Sequence, residues 1–316
     1  MNYIAMMLVM LCGLTSIYAQ FPDRVGMPGS DAIPAEQSGL QWGVSCQVIP
    51  GLLSITNQNG EKVGIDDVNN ALGKADQQVI SLGDGGMATM MFAQPIADGP
   101  GPDFAVFENS FEDYFLELAF VEVSSDGVHF VRFPATSLTS SAKQIGPFDR
   151  IPDVRKLNNL AGKYRGGYGT PFDLSELKDS TGIDIQTITH VRVIDVIGSI
   201  EPRFASFDAQ GNIINDPWPT PFPTCGFDLD AIAVINEKVQ SEGKIEVAPN
   251  PVHASADGLT RVISGIQLFD MYTMEGVWVS RVENGIIQVS GLSAGVYLMR
   301  GIEQGNVHAG TLMILR

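Results

Sequence analysis

Positive charge is scarce in this chain. Its 316 residues hold 19 Lys and Arg against 36 Asp and Glu, a formal net charge of -17. Nucleic acid and anionic membrane surfaces are polyanions and therefore poor partners for it. Cations, neutral sugars and neutral small molecules match the charge better, and the same charge also serves solubility. Histidine is rare too, with four scattered copies at 129, 190, 253 and 308. No H-E-x-x-H pattern and no thiol–histidine pattern appears, so the usual signatures of a zinc protease or a cysteine nucleophile are missing. Apolar runs long enough to cross a bilayer are also missing. The longest, Ile4–Leu14, is well short of the ~20 residues a span needs. Helical periodicity is nearly absent; only Ile65–Leu72 and Leu174–Asp179 could each form a turn or two.

Apolar residues, by contrast, make up 44% of the chain, enough for real cores. Glycine (34) and proline (18) are plentiful, which implies many turns and short strands. The length suggests two domains. Residues 1–19 are uncharged and apolar and end at the small Ala19. They read as a secretory signal peptide cleaved before Gln20. Cleavage leaves two cysteines, Cys46 and Cys225, in an oxidising compartment. They could form a disulfide or remain two separate buried thiols.

Lys238–Gly243 is polar, follows the apolar run Ala231–Ile235 and reads as a linker. It divides a large domain, residues 20–242, from a small one, residues 243–316. The small domain has five basic and six acidic residues, leaving 14 basic and 30 acidic in the rest. The acidity therefore belongs almost entirely to the large domain.

The small domain reads as six short strands separated by turn signals such as Glu283-Asn284-Gly285, a pattern that suggests an immunoglobulin-like sandwich. Pro249-Asn250-Pro251, the strand pair from Leu268 to Val279, the phrase Gly291-Leu292-Ser293-Ala294-Gly295-Val296-Tyr297-Leu298 and the closing apolar strand come in a telling order. Together, over residues 244–316, they resemble the type A C-terminal sorting domain of the type IX secretion system of Bacteroidetes. His308 and Arg316 stand where that family often has Lys. The resemblance implies passage of a folded cargo to the outer cell surface, with the type IX secretion machinery as partner. Gly291–Gly295 also fits G-x-S-x-G, but that motif needs a helix after the serine. A β-type run follows here, so Ser293 is expected in a turn.

In the large domain, Leu116–Phe133 alternates apolar and polar residues on both sides of Asp126-Gly127, the signal of a tight hairpin. Ala88–Phe92, Phe104–Glu108, Thr187–Val196 and Phe227–Val234 are further strand candidates. The expected fold is all-β: a jelly-roll-like β-sandwich followed by the small immunoglobulin-like β-sandwich. The phrase VEVSSDGVHF resembles the hairpin of galactose-binding-like jelly rolls. Over roughly residues 70 to 236, the phrases SLGDGG, GPGPDFAVFEN, AGKYRGGYGTPFDL and DPWPTPFPTCGFDLDAIAVI are similar to an uncharacterised bacterial cell-surface family. That likeness implies surface binding, in some members beside corrinoid uptake systems.

Two groups of residues could carry chemistry. Asp103, Glu108, Asp195, Asp228 and Asp230 stand at strand ends, with Asp228 and Asp230 at i, i+2 and so on one face. Buried carboxylates need compensation, and calcium supplies it with oxygen ligands. Resemblance to galactose-binding-like jelly rolls implies a structural calcium of this kind; pairing with Arg192 or Arg203 is the alternative. The second group is a pair of loops. Ala161–Pro171 carries Lys163, Tyr164, Arg165 and Tyr168, and Asn215–Thr224 carries Trp218 among prolines. Aromatic faces with basic donors suit sugars or planar ligands. The expected function is a secreted or surface-displayed binding protein for a carbohydrate or small molecule, a corrinoid among them. A polysaccharide hydrolase using paired carboxylates such as Glu108 and Glu117 is one alternative. A structural or adhesive surface protein is the other.

Overall fold

The computed structural model describes residues 21–237, 243–253, 259–303 and 306–315. The leader expected at residues 1–19 and most of the linker expected near Lys238–Gly243 lie outside the described residues. The chain divides into two compact units, residues 1–238 and 239–316. Both are built of strands, and the helical pieces among the described residues are single 3-10 turns in the first unit.

The described residues of the first unit contain the strands β1 Ile33–Pro34, β2 Gln41–Trp42, β3 Ser45–Ile49, β4 Ile80–Ser81, β5 Met87–Ile96, β6 Phe104–Glu108, β7 Ala119–Ser124, β8 Val131–Arg132, β9 Thr136–Ser137, β10 Leu157–Asn158, β11 Tyr168–Phe172, β12 Ile188–Asp195 and β13 Asp228–Val234. One sheet runs β1-β11-β6-β13-β2, with β4 also on β13; the other runs β3-β5-β12-β7-β8. Every pairing in them is antiparallel. From β2 to β7 the chain alternates between the two sheets, as in a jelly roll.

Alternation within each strand explains why the sheets stack. Phe104 and Val106 of β6 point into the core with Val191 and Val193 of β12 and Val121 and Val123 of β7. Ala105 and Phe107 of β6 point the other way, under Trp42, Leu40 and Ala35. The six-stranded sheet is thus apolar on both faces, and β6 is buried along its whole length. A third apolar cluster, including Leu116, Leu118, Phe120, Ile151 and Leu160, closes the side where residues 139–160 fold over the sandwich.

The expected Asp126-Gly127 hairpin is present but is not a two-residue turn. Glu122 pairs with Arg132 and Val123 with Val131, so the loop spans residues 124–130. The Asp126 carboxylate takes the N–H groups of Val128 and His129, each at 2.8 Å, and its other oxygen is 2.7 Å from the His129 ring. These side-chain bonds hold an Asx-type turn open in place of the tighter one. Both helical expectations survive as single 3-10 turns, Val68–Ala71 and Leu174–Leu177, capped by the carboxylates of Asp67 and Asp173.

Cys46 and Cys225 are both free thiols, so the disulfide is not formed. Cys46 sits on β3, opposite Met90. Cys225 precedes β13 of the other sheet, its thiol directed at the carbonyls of Leu52 and Leu53. Burial pushes the Cys46 thiol up to about 11 and is also the main cause that pushes Cys225 up to about 12. Both are therefore poor nucleophiles at neutral pH.

The second unit contains β14 Gly243–Lys244, β15 Glu246–Ala248, β16 Val252–His253, β17 Leu259–Ser264, β18 Phe269–Thr273, β19 Trp278–Val282, β20 Ile286–Gln288, β21 Gly295–Glu303 and β22 Asn306–Leu315. They form a sheet β14-β22-β21-β18-β19, with β16 on β22, and a smaller sheet β15-β17-β20. Phe269, Met271, Met299, Leu312 and Ile314 of the larger sheet meet Val247 and Ile287 of the smaller one in a common core. Strand β21 begins at Gly295, two residues after Ser293, and the Tyr297 hydroxyl donates to the Ser293 carbonyl at 2.9 Å. The strand–turn–helix setting of a serine nucleophile is absent there.

Candidate functional site

The five carboxylates expected to bind one cation do not converge. Asp103 precedes the start of β6 and Glu108 ends it. Asp103 accepts from the Gly99 N–H at 2.8 Å, the Asn236 amide at 2.9 Å and the Leu174 N–H at 2.7 Å. It clasps three chain segments. Asp230 holds a different loop, taking the N–H groups of Asp76 and Gln77 at 3.0 and 3.1 Å on one oxygen. A bulge between Leu229 and Ala231 interrupts the regular alternation that would pair Asp228 with Asp230. Neither Arg192 nor Arg203 neutralises any of the five. Arg192 pairs with Glu122 and Arg203 with Glu201.

Glu108, Asp195 and Asp228 do come together, and Asp216 and Glu117 join them. Antiparallel pairing explains the gathering. The end of β6, the end of β12, the start of β7 and the start of β13 all lie at one end of the sandwich, with Leu229 opposite Glu108 and Asp195 opposite Ala119. Asp195 accepts from the N–H groups of Gly85 and Phe227. Asp216 accepts from Leu118 N–H at 2.8 Å through one oxygen, while its other oxygen is buried with no partner. Glu108 accepts from Ser110 N–H and Asp228 from the Ser81 hydroxyl. Among the described residues, no Lys, Arg or His side chain bonds to any of the five. Burial is the main force pushing Glu108, Glu117, Asp195 and Asp216 well above the usual carboxylate range, and it lifts Asp228 to about 6. Mutual repulsion adds to the effect on Glu108, Glu117 and Asp195. Burial and mutual repulsion thus both favour the protonated forms in this cluster at one end of the sandwich.

Among the described residues, a different triad brings carboxylate oxygens close together. Oxygens of Asp98, Asp103 and Asp173 lie within 4.8 Å of one another, near enough to share one cation. Two of them already have structural work: Asp103 as the clasp above, and Asp173 as the cap of a 3-10 turn.

The loop residues separate as sharply. Gly162 comes against the Glu117 carbonyl at a φ of +80°, where an added Cβ would stand 1.8 Å from that oxygen. This close approach and the Ala119–Ala161 bridge pin the chain just before Lys163. Lys163 then donates its N–H to the Thr170 hydroxyl at 3.2 Å. Tyr164 is only 1% exposed and donates its hydroxyl to Asp31. Arg165 pairs with Asp113 at 3.0 Å and lies over the Tyr168 ring. Tyr168 is not in a loop at all, since it opens strand β11. Trp218 is remote in sequence and in role. Its backbone N–H donates to the Ile145 carbonyl, and its buried indole side chain faces the Asp84 carboxylate, which it helps to hold ionised. Phe222 stacks on Phe148, with ring centroids 5.7 Å apart.

Of the five residues expected to bind ligand, Lys163 lines a cavity along β11. That cavity has a volume of about 190 Å³ and runs along β11 beyond the point where β1 stops pairing. Asp31, Asn158, Asn159, Thr170, Asp173 and Glu176 supply most of its polar wall. Lys163 is 3% exposed. Among the described residues, its Nζ makes no hydrogen bond and no ion pair; its nearest aromatic neighbour is the Tyr164 ring, 5.5 Å from the centroid. Burial lowers it to about 8, although Asp31 and Asp23 pull the other way. The opposite wall is firm. Asn159 donates its amide to Glu176 at 2.6 Å, and its own backbone is held at a φ of +51°. Sequence patterning could single out Lys163 because it stands among glycines and aromatics. It could not supply Asp31, Asn159 or Glu176, which reach the cavity from distant segments.

No protein-family model matches the chain, and no curated protein matches it either. The two sites therefore stand on their own geometry. A cluster of buried carboxyls occupies one end of the sandwich, and a small polar cavity around a lysine without an ion pair among the described residues lies along β11.

Proposed function

We propose that the large unit is a binding module for a small neutral sugar, secreted and carried to the cell surface through the C-terminal unit. The unpaired Lys163 ammonium in a hydroxyl-sized polar cavity carries the reading. A buried charge without a partner is costly, and a ligand with several hydroxyls offsets that cost. Its oxygens accept from Lys163 and from the Asn158 amide, while its O–H groups donate to the open carboxylate oxygens of Asp31, Asp173 and Glu176. An anion would meet those three carboxylates, so a neutral polyol is favoured over a uronate or phosphate. Size narrows the choice further. A volume of about 190 Å³ falls below the ~300–1,000 Å³ of pockets for drug-sized ligands. It suits one sugar ring and is far too small for a corrinoid.

Titration calorimetry of the intact chain against methyl glycosides of glucose, galactose, mannose and N-acetylglucosamine tests the reading. At least one should bind, and Lys163→Met should abolish that heat. Silence across the whole panel would leave the adhesive or structural reading in its place. Export rests on the resemblance of residues 244–316 to a type IX sorting domain. Deleting 244–316 in a Bacteroidetes host should strand the protein in the periplasm; unchanged surface display would remove that partner.

A further inference from the structure

A lysine amine ignores carbonyl compounds while protonated and attacks them when burial favours the neutral form. The surroundings of Lys163 shift it toward that form, leaving the ammonium the major species at pH 7. Its stem is enclosed, its Nζ has no counter-ion within bonding distance, and it faces open volume. Four carboxylates surround it. Asp23 and Asp31 act on its charge from one side, and Asp173 and Glu176 line the cavity from the other. Three of them are engaged elsewhere: Asp31 by the Tyr164 hydroxyl, Asp173 by the Ser175 N–H and Glu176 by the Asn159 amide. None is tied to the amine. Glu176 lines the cavity wall, and its carboxyl is raised above the ordinary value, chiefly by burial.

We propose that Lys163 captures the aldehyde carbon of an open-chain sugar, or of a related short hydroxyaldehyde, as a reversible imine. The idea rests on reading this cavity as the sugar site. In the first step the Nζ lone pair forms the C–N bond, and the carbonyl π pair moves to oxygen, which takes a proton from Glu176. Nζ returns a proton to Glu176, giving the carbinolamine. In the second step the hydroxyl leaves as water with a proton from Glu176 while the nitrogen lone pair forms C=N. The positive charge of the protonated imine is balanced by the carboxylate left on Glu176. One water is released and nothing is oxidised or reduced. The hydroxyls of the bound aldehyde meet the same polar wall as a cyclic sugar.

The test is reductive trapping on the intact chain with glycolaldehyde and cyanoborohydride at pH 7, read by peptide mass mapping. An amine near 8 is about 10% neutral at pH 7, against less than ~0.1% for an ordinary lysine. Lys163 should therefore be labelled at least ~10-fold faster than the exposed Lys62 and Lys178, with a rate that saturates in aldehyde. Lys163→Arg should remove the fast site. Labelling of Lys163 no faster than Lys62, in a chain that binds a methyl glycoside, overturns the imine and leaves the sugar site standing. Fast, saturable labelling in a chain that binds no methyl glycoside upholds the imine and removes the sugar reading instead.

Discussion

The protein should be markedly more stable at pH 5 than at pH 8, the reverse of the usual acid lability. The cause is the set of carboxyls whose folded values stand above their unfolded ones. Such a group contributes stability that is fully present below the unfolded value, near 4, and is lost as pH rises through the folded value. For Asp228 and Asp230, both lifted to about 6, the loss falls between pH ~4 and ~6. A shift of that size corresponds to roughly 2–3 kcal/mol for each group. Glu108, Asp195 and Asp216 are raised further, so their contributions persist to higher pH before they too are lost. Asp153 and Asp208 are lowered and act in the opposite sense. Their contribution is lost only as pH falls below ~4, which places the optimum near pH 4–5. Urea unfolding at pH 5 and pH 8 measures the difference. Asp228→Asn should be nearly neutral at pH 4 and stabilising by ~2 kcal/mol at pH 8. Stability that climbs from pH 5 to pH 8 would contradict the protonated cluster.

Lys163→Met should make the protein more stable and unable to bind. At pH 7 the wild-type chain keeps a buried ammonium that no side chain neutralises. A value lowered from 10.5 to about 8 implies a penalty of about 2–3 kcal/mol. The sign is fixed by linkage. Below ~8 the penalty is complete, and between ~8 and ~10.5 it disappears as the unfolded chain also gives up its proton. Methionine keeps the apolar stem in place with no charge to bury. The variant should gain ~2 kcal/mol at pH 7, and the gain should shrink towards zero by pH ~10.5. Stability gained where function is lost marks a residue kept for its ligand rather than its packing. A destabilised Lys163→Met would instead mark the lysine as a structural post.

Much of the scaffold was legible because both its sheets repeat a two-residue pattern. The bounds Phe104–Glu108 follow from an apolar run that begins after the proline-glycine turn at Gly99–Pro102 and ends at the polar Asn109-Ser110, and the structure places β6 there. Two places defeated the pattern. The bulge after Leu229 broke the regular spacing that would have put Asp228 and Asp230 on one face. The Asp126 carboxylate widened a turn that the Asp-Gly pair alone would have closed. The sites were less legible, for a topological reason. Lys163 stood out in its glycine-rich setting. Its cavity is completed by Asp31 from a segment far upstream and by Glu176 from the turn after β11. Likewise, Asp216 reaches the carboxylate cluster across almost a hundred residues, through the Leu118 N–H. No local spacing encodes either meeting; both follow from which strand ends the antiparallel order brings together.

A crystal structure of the intact chain grown with the tightest-binding methyl glycoside tests the central claim most directly. The account predicts one sugar ring along β11, with a hydroxyl oxygen within hydrogen-bond distance of Lys163 Nζ and further hydroxyls donating to Asp31 or Glu176. A sugar bound elsewhere, at Trp218 or on the C-terminal unit, with the Lys163 cavity holding only water, would contradict it.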